Sequence, residues 1–175
     1  MHDVTLDDLR QWFPTAVYLI VYRGSLLEQY VSFQVAKATH KWVGLDKRDQ
    51  FQDRIHVDAD DFMRFCSAER DKYSKILSYK WIHSCSRIVR YEDLASRPQA
   101  VFDADVFSLL GLPSTPIVTN MVKQIDRKMP DVIENYDELQ KIISNETTHA
   151  YQLNVPHAGL GLAECQSKSP ETCSL

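Results

Sequence analysis

Apolar residues fall in short blocks along this chain, and each block predicts one element. Residues 5–13 read as a short helix that Thr5 caps, with Asp7 and Asp8 in the first turn and Pro14 as its stop. Residues 16–22 (Ala-Val-Tyr-Leu-Ile-Val-Tyr) form an unbroken apolar run without alternation. Such a run predicts a strand of a parallel sheet buried on both faces. Ser25-Leu26-Leu27-Glu28 has the spacing of a capping box and predicts a helix over 26–41. Residues 44–60 are polar and read mostly as loop. Asp58 with Asp61 starts a long helix over 59–81, with Phe62, Phe65, Cys66, Tyr73, Ile76 and Leu77 on one face. Glu69 shares that face and reads as a rim residue, a buried partner for an arginine, or a functional acid.

Residues 87–91 predict a second strand. Pro98 opens a helix that runs to Leu110, with Val101, Phe102, Val106, Leu109 and Leu110 on its apolar side and Gly111 and Pro113 as stops. Residues 113–130 are irregular, basic and polar. Asp131 is expected to cap a further helix carrying Ile133, Tyr136, Leu139, Ile142 and Ile143. After Pro156 the composition turns to Gly, Ser, Glu and Lys, which predicts a disordered tail. The expected organisation is one domain over 1–155 and a tail over 156–175. Helical connections between strands make the fold class α/β, helix-rich and poor in strands, with an incomplete parallel sheet flanked by helices. Two strands rarely form a stable sheet by themselves, so further strands are expected either unread within the chain or in sequence outside it, and an open sheet edge would let copies associate.

Charge narrows the function classes. Acidic and basic residues are interspersed and the formal net charge is −4, which speaks against a nucleic-acid surface. The four cysteines form no CxxC pair and no zinc-like spacing with histidine. Reduced thiols in a cytoplasmic setting, and no metal, are the expectation. The polar opening Met1-His2-Asp3 does not look like a signal peptide, and the longest apolar run is too short to span a bilayer.

The candidate chemistry lies at the first strand's carboxyl end, where ligands bind in open parallel α/β sheets. Arg23 stands there, just before a helix N-terminus, and its planar guanidinium can fork two phosphate oxygens. Ser32 follows Ser25 by seven residues, nearly two turns, so both hydroxyls share a helix face. Arg23, the helix start and Ser32 can surround one phosphate group. An ion-pairing surface arginine and an ordinary helix serine are the plain alternative.

The block Val17 to Ser32 resembles the 3′-phosphate-binding strand and helix of sulfotransferases that use 3′-phosphoadenosine 5′-phosphosulfate (PAPS). Ala36-Lys37-Ala38-Thr39-His40-Lys41-Trp42 is similar to the end of that helix in bacterial-type members. Ile88 to Pro98, followed by Leu109-Leu110-Gly111-Leu112, resembles the family's second strand–helix module. Ile133 to Leu139 is similar to a late helix. The resemblance covers roughly residues 5–150. It implies a P-loop-like fold and transfer of a sulfuryl group from PAPS to a hydroxyl or amine acceptor, with PAP (3′,5′-ADP) as product. It implies that Arg23 and Ser32 hold the 3′-phosphate and that Tyr91 touches the adenine. It also places Lys123 and Arg127 near the nucleotide phosphates. Glu92 and Asp93 are expected to bond backbone N–H groups at the turn.

The chain departs from the family at the 5′-phosphosulfate loop. None of its five glycines sits in a Gly-x-x-x-x-Gly-Lys pattern after a strand. That loop is expected upstream or from another chain. The family's catalytic base has no motif-marked counterpart, although His56 and Glu69 lie in the middle segment that would line an acceptor pocket. A catalytically inactive truncated remnant serving as a binding or scaffold module is the competing reading.

Overall fold

The computed structural model describes residues 4–44, 46, 48, 50–119 and 121–145. The expected tail, the cysteines at 165 and 173 and the histidines at 2, 149 and 157 lie outside the described residues. The described chain is helix-rich with a two-stranded parallel sheet. Its described residues fall into two compact units, one drawn from 4–22 and 71–115, the other from 23–70 and 116–145.

In the first unit, α1 (Leu6–Trp12) opens with a complete capping box between Thr5 and Asp8. Strand β1 (Tyr18–Tyr22) pairs in parallel with β2 (Ser86–Arg90), with Ile20 opposite Ile88 and Tyr22 opposite Arg90. Burial along β1 differs from the expectation. Leu19 and Val21 remain 43% and 39% exposed, while Tyr22 is buried. The strand alternates because only one of its faces is covered. Tyr73 donates its hydroxyl to the Val21 carbonyl at 3.0 Å and sets its ring edge-on to Tyr22. Tyr18 packs on Trp81 at 5.1 Å, and the Arg10 guanidinium lies over the Trp81 ring.

A short helix α4 (Ile82–Cys85) leads into β2, and Ser86 donates its hydroxyl to the Ile82 carbonyl at that junction. The second strand ends one residue earlier than expected. Tyr91 opens α5 (Tyr91–Ser96) instead of closing the strand. The helix from Pro98 is divided into α6 (Pro98–Val101), a π-helical stretch (Phe102–Phe107) and α7 (Ser108–Leu110). Each π turn holds more residues than an α turn, so later side chains rotate away from the periodicity read in the sequence. Leu110, expected in the apolar face, is consequently exposed. Gly111 adopts φ 65°, and the Leu112 and Gly111 N–H groups reach the Phe107 and Ser108 carbonyls in a Schellman-type stop.

In the second unit, α2 (Leu26–Thr39) buries Leu26, Tyr30, Val31 and Val35. It ends at His40, in left-handed backbone at φ 55°. Helix α3 (Ala59–Ser78) begins in this unit, with the Asp58 carboxylate accepting the Asp61 N–H at 2.7 Å. Asp61 itself pairs with Arg64. Tyr30 meets Phe62 and Phe65 edge-on, and Cys66 is free and buried.

The two loop segments that looked irregular are stitched together. Val122 N–H reaches Gly44 O, Phe51 N–H reaches Gln124 O, and Ile55 and Ile133 form a parallel bridge. A Cβ on Gly44 would stand 2.8 Å from the Val122 carbonyl, so the close approach requires glycine there. The expected Asp131-capped helix is two pieces, α8 (Met129–Val132) and α9 (Tyr136–Asn145). Ile133 between them is extended because it takes part in the bridge. Val132, Ile133, Leu139 and Ile143 are buried.

Cys85 is disulfide-bonded, against the expectation of reduced thiols throughout. Pairing depends on separation in space, which cysteine spacing along a chain does not report. No helix among the described residues is long and apolar enough to cross a membrane.

Candidate functional site

Arg23 and Ser32 meet. Arg23 leaves β1 directly and, with Gly24, forms the turn before the Ser25 cap, whose hydroxyl accepts the Glu28 N–H at 3.3 Å. Ser32 follows almost two turns into α2. From this start, Arg23 Nη1 donates to Ser32 Oγ at 3.2 Å and approaches the Glu28 carbonyl at 3.5 Å. Guanidinium and hydroxyl are therefore in direct contact, both partly buried, beside the first turns of α2.

The donors at that contact are of the kind an oxyanion accepts. The guanidinium presents several N–H donors in one plane, and the serine hydroxyl rotates to donate or accept. The N-terminus of the helix adds partial positive charge. Gln29, which sequence reasoning passed over, lies on the same stripe, four residues after Ser25 and three before Ser32. Its Nε2 donates to Glu69 Oε2 at 3.0 Å. Gln29 Oε1 is buried and has no hydrogen-bond partner among the described residues. Glu69 thus has a glutamine partner on α2. Only the 25–29–32 spacing could have signalled Gln29, and a polar stripe on a helix ordinarily marks a solvated face.

The other candidates stand apart in kind. Tyr91 belongs to the first unit, partly buried at the start of α5. Beside it Arg90 Nε donates to Glu92 at 3.0 Å, and Arg97 donates to Asp93 at 3.0 Å. These bonds run to guanidinium groups. Burial pushes the neighbouring Tyr22 hydroxyl above its usual titration range; Arg90 opposes that shift, and Glu92 and Asp93 add to it. Lys123 is exposed. Arg127 donates to the carbonyls of Gln52, Asp53 and Asp131, so its guanidinium clips two loops together. Arg54 makes the converse clip, donating to Ile133 O at 2.6 Å and Pro130 O at 3.3 Å. His56 is exposed. Among the described residues no group of three or more His, Cys, Asp or Glu side chains is placed to hold a metal ion.

Comparison of the chain with protein-family models, with curated proteins and with solved structures finds no match.

Proposed function

We propose that this chain binds the adenosine 3′,5′-bisphosphate half of PAPS and serves a sulfotransferase reaction as its donor-holding part. The single observation behind this reading is the 3.2 Å contact between Arg23 and Ser32 at the start of α2. A 3′-phosphate entering there would take the Arg23 fork and accept a hydrogen bond from the Ser32 hydroxyl, replacing the bond between them. Lys123 would add positive charge near the nucleotide. Arg127, held by carbonyls, would contribute by fixing the loop on which Lys123 stands. In the reaction, an acceptor oxygen or nitrogen forms a bond to sulfur while the bond from sulfur to the PAP phosphate oxygen breaks. PAP leaves with that electron pair, and the acceptor proton passes to a base. The binding groups contribute by position and charge, as in phosphoryl transfer.

Calorimetric titration with 3′,5′-ADP tests the reading. Arg23→Ala should weaken binding by about a hundredfold and Ser32→Ala by about tenfold, the scale of a charge-assisted and of a neutral hydrogen bond. Adenosine 5′-monophosphate, without the 3′-phosphate, should bind the parent and the Arg23 variant equally weakly. Affinity for 3′,5′-ADP unchanged by Arg23→Ala removes the proposed anchor. No heat at all with a folded parent favours the scaffold reading, to which the exposed Leu19 and Val21 of β1 already lend some support.

A further inference from the structure

Two stretches of the second unit contain no acidic residue in a chain whose net charge is −4, namely residues 33–45 and 116–125. Between them they carry Lys37, His40, Lys41 and Lys123. The fold brings them side by side: Gly44 bridges Val122 in antiparallel fashion, and Gln124 donates to the Lys41 carbonyl at 2.9 Å. The same stretches expose large apolar side chains. Trp42 is 66% and Met121 63% exposed, and Phe33 and Val43 are exposed beside them. The Phe33 ring lies 6.0 Å from Trp42 and stacks on Phe65 of α3, which seats the aromatic pair on the unit.

We propose that this face docks on an anionic lipid surface. Trp42 and Phe33 enter the headgroup boundary, and Lys37, Lys41 and Lys123 meet acidic headgroups. Two features select lipid over a protein partner. Lysine is depleted in protein–protein interfaces, whereas flexible lysines ringing exposed aromatics suit a membrane boundary. Tryptophan concentrates at that boundary, where its ring is half in hydrocarbon and its N–H stays wet. The local excess of positive charge in a negative chain gives the attraction its sign.

Co-sedimentation of the full chain with phosphatidylcholine vesicles, with and without phosphatidylserine, tests this. The chain should pellet with the anionic vesicles only, and added salt should release it. The triple variant Lys37→Glu, Lys41→Glu, Lys123→Glu should lose more than about a hundredfold in binding, and Trp42→Ser should lose roughly tenfold. All four side chains are exposed, and an unchanged circular dichroism spectrum certifies that the variants fold. Absence of pelleting with anionic vesicles overturns the proposal, as does pelleting that both variants retain. Vesicle-independent dimers in sedimentation velocity that Trp42→Ser breaks also overturn it, assigning the face to a second copy. Lys123 belongs to both readings, whereas Trp42 enters only the lipid reading and Arg23 only the nucleotide reading, so Trp42→Ser on vesicles and Arg23→Ala in the nucleotide titration make the two fail separately.

Discussion

The Asn135 side-chain amide lies against Val57 as a second peptide group would. It accepts the Val57 N–H at 3.0 Å and donates to the Val57 carbonyl at 2.9 Å. Val57 is buried, so Asn135→Ala strands a donor and an acceptor together. Urea denaturation should show a loss of about 2–4 kcal/mol. Cys66 offers a test in pH. Burial pushes its thiol up to about 11 from 9.0, with Arg70 pulling weakly the other way. Between those values the unfolded chain has lost the proton and the folded chain keeps it, so stability falls as pH rises. Below pH 9 the group contributes no slope. The stability difference between the parent and Cys66→Ala should therefore narrow by roughly 1–2 kcal/mol between about pH 8 and about pH 10.5. A difference that stays constant would show that Cys66 ionises normally. Arg23 and Ser32 were legible because strand end, turn and helix are contiguous, which fixes their geometry locally. Arg54 and Arg127 were not, because a carbonyl on a distant segment leaves no mark on the residue types around it.

At the scale of elements, local chemistry decided most boundaries. Thr5, Ser25 and Asp58 each accept an N–H of the first helical turn, as their spacing indicated. Ser25→Ala should lower stability by about 1 kcal/mol, read from a shifted denaturation midpoint at constant m-value. The start of α2 also borders the candidate site, so Ser25→Ala should loosen Arg23 and weaken 3′,5′-ADP more than it weakens 5′-AMP. Three elements escaped the sequence for tertiary reasons. β1 is apolar throughout, yet composition cannot tell whether a covering layer exists. Ile133 reads as helical by spacing but is drawn into an extended bridge with Ile55. Tyr91 has strand propensity, but the turn at Glu92 and Asp93 starts a helix beneath it.

At the scale of the molecule, the α/β character and scarcity of strands were readable from two apolar blocks separated by helical periodicity. The division into two units was not, because the unit boundaries after Tyr22 and Arg70 fall inside a βα junction and a continuous helix, where no linker composition marks them. Peptide mapping after alkylation without reductant should leave the Cys85 peptide unmodified, and prior reduction should expose it. Alkylation of Cys85 in the unreduced protein would show its thiol to be free.

The π-helical stretch Phe102–Phe107 carries a historical implication. A wide turn is how a helix absorbs one surplus residue without rotating everything beyond it by about 100°. A related chain with a plain α-helix in this place should therefore align only across a one-residue gap somewhere between Phe102 and Phe107. Deleting Ala104 from this chain should regularise the helix and keep Ser108 to Gly111 in phase with their neighbours. Deleting a residue from a purely α-helical stretch such as the middle of α3 has no such slack and should throw the downstream face out of register.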